Sequence, residues 1–293
     1  ALTPYYPPRG LGLVPGRVRW CAGAHAPRAC RVARSLPTKP LISIMALVRL
    51  GTLRASAPLA SRLLCTAAPR KIAVVLAGNG VYDGSEITEA VATLVHVSAA
   101  GFAPACFAPD IVQHHVVDHT KGEEDSAPRN VLVESARIAR GQIAPLTSLD
   151  PTEYAALIVP GGFGAAKNLC NHATVAQGDA ALMAVEPSLE TAIRAFHAAK
   201  KPIGLCCIAP VIAAHLLKCE VTVGQAEGEQ WPYGGTAGAI ENYGGVHRPT
   251  DWSGVCVDDA NNVVSSAAYM YDGKPHEIFE SVGAMVAAVC ERA

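Results

Sequence analysis

Apolar positions in this chain come in two rhythms, short unbroken runs and longer stretches at helical spacing, and the two alternate along most of its length. Residues 71–77 (Lys-Ile-Ala-Val-Val-Leu-Ala) are apolar at almost every position, as in a strand buried on both faces. A loop rich in Gly, Asn and Asp follows over 78–84, and Ser85 reads as the N-cap of a helix running to about Ala100 and ended by Gly101. Strands are predicted over 103–108, 155–160 and 202–206. Helices are predicted over 130–140 and 189–199. After residue 207 come a helical pattern over 208–217, a strand near 220–224, a short helix near 236–242, strands near 254–258 and 262–268, and a final helix from about His276. Alternating strands and helices with double-sided apolar strands predict an α/β fold, a doubly wound, mostly parallel sheet with helices on both faces. Ligands of such sheets bind beyond the carboxyl ends of the strands. Here four such ends converge: 78–85, 161–164, Cys207 and 224–225.

Charge divides the chain unevenly. Residues 1–70 hold eleven Lys and Arg and no acid, whereas 71–293 hold thirteen Lys and Arg against twenty-five Asp and Glu, a balance of −12. The first part is a basic leader, expected to be disordered. Its stretch from Met45 to about residue 70, with Arg49, Arg54 and Arg62 among apolar and Ser/Ala positions, reads as a mitochondrial transit peptide and predicts a matrix location. Residues 71–293 form the predicted domain. An acidic body excludes nucleic acid as a partner, and neither part has the roughly 18 consecutive apolar residues of a membrane span. Of ten cysteines, three lie in the leader and none forms a CxxC pair, so free thiols are expected rather than disulfides or a zinc site.

The most informative segment is 202–210, Pro-Ile-Gly-Leu-Cys-Cys-Ile-Ala-Pro. An apolar run stops at a cysteine and a helical pattern starts at once, the layout of a nucleophile elbow. The following helix would direct its positive end at Cys207 and favour the thiolate. The alternative is that Cys207 is core, since cysteine is among the most buried residue types. Cys206 points the other way if strand alternation holds, and is read as packing. Gly161 and Gly162 can turn backbone N–H groups toward an anion and, with those of Cys207 and Ile208, form an oxyanion hole; a tight turn is the plainer reading. Glu86 and Glu89 lie in the first turns of the first helix, where acids favour the dipole or reach the cysteine as acid or base. The dinucleotide fingerprint fails at Asp83, where its third glycine belongs, so no nicotinamide cofactor is expected. His114, His115, Asp118 and His119 are read as a pocket-rim or solvated loop rather than a metal site, and His96, His197 and His215 as helix residues that pack or face solvent.

Several strings together resemble the PfpI superfamily, in particular its mitochondrial glutamine amidotransferase-like class 1 and bacterial ElbB-like members. They are residues 78–90 (Gly-Asn-Gly-Val-Tyr-Asp-Gly-Ser-Glu-Ile-Thr-Glu-Ala), 107–110, 118–122, 129–132, 160–169 (Pro-Gly-Gly-Phe-Gly-Ala-Ala-Lys-Asn-Leu) and 201–210. The resemblance runs from about residue 71 to the C-terminus. It implies a flavodoxin-like fold, the elbow cysteine at Cys207 and a homodimer. Counting back from Gly101, it implies Glu89 rather than Glu86 as the carboxyl partner. Many members carry a histidine after the next strand; this chain has Gln225, which leaves the amidotransferase triad incomplete. The activity implied is glutathione-independent glyoxalase-like chemistry on a small aldehyde without cofactor. The alternatives are a non-catalytic thiol sensor or binding module and, behind it, an amidase or amidotransferase.

Overall fold

Seven strands lie side by side in one sheet of the computed structural model, which describes residues 68–293. The leader up to residue 67, and with it the transit-peptide reading, lies outside the described residues. The chain enters β1 (Lys71–Val75), crosses through α1 (Ile87–Ala99) to β2 (Ala103–Ala108), and makes a small ribbon of β3 (Val117–Asp118) and β4 (Glu123–Glu124). It continues through α2 (Val131–Ile138), β5 (Ile143–Pro145), β6 (Tyr154–Val159), the short α3 (Phe163–Lys167), α4 (Pro187–Ala198) and β7 (Ile203–Cys206). The last part holds α5 (Pro210–Leu217), β8 (Glu220–Val221), α6 (Gly235–Asn242), β9 (Val246–His247), β10 (Val255–Asp258), β11 (Val263–Ser266) and α7 (Pro275–Arg292).

The strand order is β10-β11-β7-β6-β1-β2-β5, parallel throughout except for β10. Helices lie on both faces, α1 and α7 packed together on one and α4 beside α5 on the other. This is the expected flavodoxin-like, doubly wound α/β architecture. Every residue of β7 and β11 is buried, as are Ile72–Val75 of β1, which explains why these strands read as continuous apolar runs. Gly204 of β7 has no side chain because Met285 and Val289 of α7 press on it; a Cβ there would sit 2.7 Å from the Met285 sulfur. Even positions of β7 therefore face α1 and α7.

Two expectations about the elements are corrected, and one strand was not expected. Ser85 is not the cap of α1: its hydroxyl accepts from the Ala77 N–H at 2.9 Å, and Glu86 caps the helix by accepting from the Glu89 N–H at 2.8 Å. The strand near 220–224 shrinks to β8, which pairs with β9 outside the main sheet. Gly224 and Gln225 thus do not end a strand of that sheet. The edge strand β5 carried too few residues for alternation to show; it pairs with β2 and finishes at Pro145.

Candidate active site

Two glycine-rich loops interlock above the ends of β1 and β6. The Glu86 N–H donates to the Gly161 carbonyl (3.0 Å), Phe163 N–H to Val81, and Gly164 N–H to Gly84. Asn168 ties both together, its Nδ2 donating to the carbonyls of Ala77 and Asp83. Gly162 has φ +95°, and a Cβ on it would lie 2.3 Å from the Glu86 nitrogen and 2.4 Å from the Gly84 oxygen. Only glycine lets the loops approach this closely. This contact sets the first turn of α1 beside Gly161, which brings Glu89 under the end of β7.

Glu89 is fully buried. Its Oε2 accepts from the Gly161 N–H at 2.9 Å and its Oε1 from the Tyr269 N–H at 3.2 Å. Burial, and then the negative charge of Glu86, push its carboxyl up to about 8. Glu86 itself is half-buried, and burial raises its carboxyl too, against the amides that it caps. The two acids on α1 therefore divide the roles left open by the sequence: Glu86 caps the helix and Glu89 enters the site.

Cys207 sits in the turn after β7 with φ +59°, a left-handed conformation that costs a non-glycine residue about 1–2 kcal/mol. Its N–H donates to the Ser266 carbonyl at 3.1 Å. The turn swings the side chain onto Gly161, where a Cβ would meet that of Cys207 at 2.4 Å and Glu89 Oε2 at 2.6 Å. The N–H groups of Gly162 and Ile208 hydrogen-bond the Cys207 sulfur, and the thiol meets the Glu89 carboxyl. The expectation that α5 would favour the thiolate is corrected: burial, and then the Glu89 charge, raise the thiol well above its usual value, outweighing both amides.

The four expected oxyanion donors separate in the same way. Gly161 N–H is taken by Glu89 and Cys207 N–H by Ser266, while those of Gly162 and Ile208 remain directed at the sulfur. Cys206 is also corrected. Its sulfur lies 3.7 Å from Glu89 Oε2, so it belongs to the cluster rather than to packing alone. Alternation does hold for Cys206, which faces α1; the left-handed turn then breaks it for Cys207 and returns that side chain to the same carboxyl. Tyr269 is a site residue that the sequence did not reveal. It acts through a backbone N–H, a group that every residue except proline carries, and it follows Ala268, another left-handed residue at φ +43°.

The remaining candidates lie elsewhere. His119 donates through Nδ1 to the Val117 carbonyl and accepts at Nε2 from the Tyr82 N–H. The buried Asp83 accepts from the Val117 N–H. These residues pin the ribbon to the loop after β1, and no group of side chains arranged to hold a metal occurs among the described residues. Gly224 lies under the Trp231 ring, and Gln225 Nε2 donates to the Thr250 carbonyl. No helix among the described residues is long and apolar enough to cross a membrane. The described cysteines are all free.

No protein-family model matches the chain. It is 50% identical over 233 residues to the ES1 protein homolog, mitochondrial, of Rattus norvegicus, covering 77% of this chain and 86% of that one. It is also 50% identical over 225 residues to the human glutamine amidotransferase-like class 1 domain-containing protein 3, mitochondrial, covering 75% and 82%. Among solved structures it is similar to an isoprenoid biosynthesis protein with amidotransferase-like domain from Ehrlichia chaffeensis, at 35% identity and a TM-score of 0.68 over 76% of this chain and 99% of that one. Both of these curated relatives are named as mitochondrial. The chain belongs to the mitochondrial ES1 and glutamine amidotransferase-like class 1 domain-containing protein 3 family, on a flavodoxin-like fold.

Proposed function

We propose that the protein is a cysteine-dependent, glutathione-independent glyoxalase-like enzyme acting on small 2-oxoaldehydes. The observation that carries this reading is a fully buried carboxyl at Glu89, raised to about 8, in contact with the Cys207 thiol. An acid poised near the working pH can both take and return a proton. In the reaction, the Glu89 carboxylate takes the Cys207 proton as the sulfur adds to the aldehyde carbon, giving a hemithioacetal. Glu89 passes that proton to the alkoxide oxygen and, ionised again, takes the hydrogen of the same carbon as a proton and delivers it to the neighbouring carbon, while the hydroxyl proton moves to the neighbouring carbonyl oxygen. The product is the thioester of a 2-hydroxy acid. Water cleaves it, releasing lactate from methylglyoxal or glycolate from glyoxal and restoring the thiol. No electrons leave the substrate, so no cofactor is required. The sharp turn at Cys207 and the two amides at its sulfur support its role as nucleophile, and the apolar surroundings of Glu89 support its role as proton carrier.

The test is methylglyoxal consumption by the full chain without glutathione, compared with Cys207→Ala. Turnover that disappears in the variant supports the reading; turnover equal in both, or none in the wild type, overturns it. Since Glu89 must be ionised to accept the thiol proton, kcat/KM rises with pH up to about 8. A second reading, a thiol oxidised without turnover, is favoured by the Gly162 and Ile208 amides at the sulfur, which would also hold the oxygens of a sulfinic acid. Peroxide titration with mass spectrometry distinguishes it. An amidase reading is disfavoured, because residues 223–225 are Val-Gly-Gln and supply no histidine for the fuller triad.

A further inference from the structure

The two oxygens of Glu89 are not equally served. Oε2 receives Gly161 N–H at 2.9 Å and the Cys206 thiol at 3.7 Å, and Oε1 receives the Tyr269 N–H at 3.2 Å; the Cys207 thiol, whose proton is the one exchanged in the proposed reaction, also meets the carboxyl. Cys206 is fully buried and stands in register with Ser266 of β11, also fully buried, whose hydroxyl has no hydrogen-bond partner among the described residues. A thiol that only fills space can be exchanged for an apolar side chain. A thiol that satisfies a buried carboxyl oxygen cannot, because its loss leaves an acceptor short of a donor.

We propose that Cys206 is a positioning residue for Glu89: together with the Gly161 N–H it saturates Oε2, so that the carboxyl proton resides on Oε1. A protonated carboxyl oxygen becomes a donor and a weak acceptor, so the oxygen already holding two donors remains the carbonyl. The titratable groups facing this carboxyl are Glu86 on its own helix, Cys206 and Cys207 at the end of β7, and Tyr269 after β11. Of these, Cys206 is the one whose thiol is bonded to Oε2 without a part in the proposed covalent step. The importance of this placement rests on the reading of Glu89 as the proton carrier, and it assigns acid–base work to Oε1.

The test is the titration of the Glu89 carboxyl carbon by NMR in ¹³C-glutamate-labelled full chain, assigned by comparison with Glu89→Gln. Cys206→Ala removes a donor to the ionised form and is expected to raise the midpoint by about half a pH unit. Cys206→Ser, with a stronger O–H donor, is expected to lower it. It also serves as the decisive variant if the alanine protein does not fold. A midpoint unchanged in the folded variants, or shifted upward equally in both, overturns the proposal. Methylglyoxal turnover on the same samples separates the two questions. Its absence in the wild type overturns the proposed function, while the midpoints still decide the role of Cys206.

Discussion

At the amino ends of β1, β6 and β7, a cleft of about 360 Å³ is lined by Arg70, Lys71, Lys200, Lys201 and Arg292. Charge there is partnered or wet. Lys71 meets Glu153 at 3.4 Å with both side chains about half exposed, Lys201 Nζ reaches the carbonyls of Pro151 and Tyr154 at 2.6 and 2.7 Å, and Arg292 meets Asp259 at 3.1 Å. At the carboxyl ends of the same strands the fully buried carboxyl of Glu89 is bonded by two amides and the thiols, and the charge acting on it is that of another acid, Glu86. The first end neutralises charge with counter-ions and water, so its members are replaceable one at a time. The second neutralises charge with a proton, so its chemistry depends on where that proton sits.

Substitutions at the carboxyl end test this contrast most severely. Gly162→Ala must place a Cβ against the Glu86 nitrogen and the Gly84 oxygen at a left-handed backbone position, and is expected to destabilise by about 3 kcal/mol or more in urea unfolding. Glu89→Gln comes next. The two amides donate to different oxygens, and a carboxamide has one acceptor oxygen, so one N–H must face an NH₂ group. The expected loss is about 1–3 kcal/mol, together with the activity.

The pH dependence of stability follows from the same group. Folded Glu89 is raised to about 8 from an ordinary value near 4.5. Between these values the folded state holds a proton that the unfolded state has released, so stability falls as pH rises through that window. Unfolding midpoints compared at pH 5 and 8 should show the decline, and Glu89→Gln should remove its share of it. Glu86→Gln keeps an acceptor for the cap and removes the neighbouring charge, so the Glu89 midpoint should move down with little change in stability. Smallest of all, Lys71→Met at the opposite end should change stability by less than about 0.5 kcal/mol.

The sequence revealed the parts of the site that rely on residue type. Cysteine at the end of an apolar run, paired glycines after another, and acids early in a helix each leave a mark, and they pointed to Cys207, Gly161, Gly162 and the pair Glu86 and Glu89, between which the family resemblance chose Glu89. It did not reveal features set by backbone geometry. The left-handed turn at Cys207 decides that Cys206 and Cys207 share one carboxyl, and strand alternation alone predicts the reverse. Tyr269 contributes an amide 180 residues along the chain from Glu89. The Ser85 hydroxyl bonds the Ala77 N–H rather than opening α1. Elements of two or three residues, such as β5 and β9, are too short to display a period.

Pro145, the last residue of β5, has a consequence for how this protein behaves in company. A parallel sheet of apolar strands offers its outermost strand as a template for any neighbouring chain, but β5 is three residues long and ends in a residue with no N–H to donate. At the other margin β10 runs antiparallel, and its Asp258 accepts the Glu220 N–H of β8. The β5 border is thereby blunted against strand addition, and β8 lies against the border at β10.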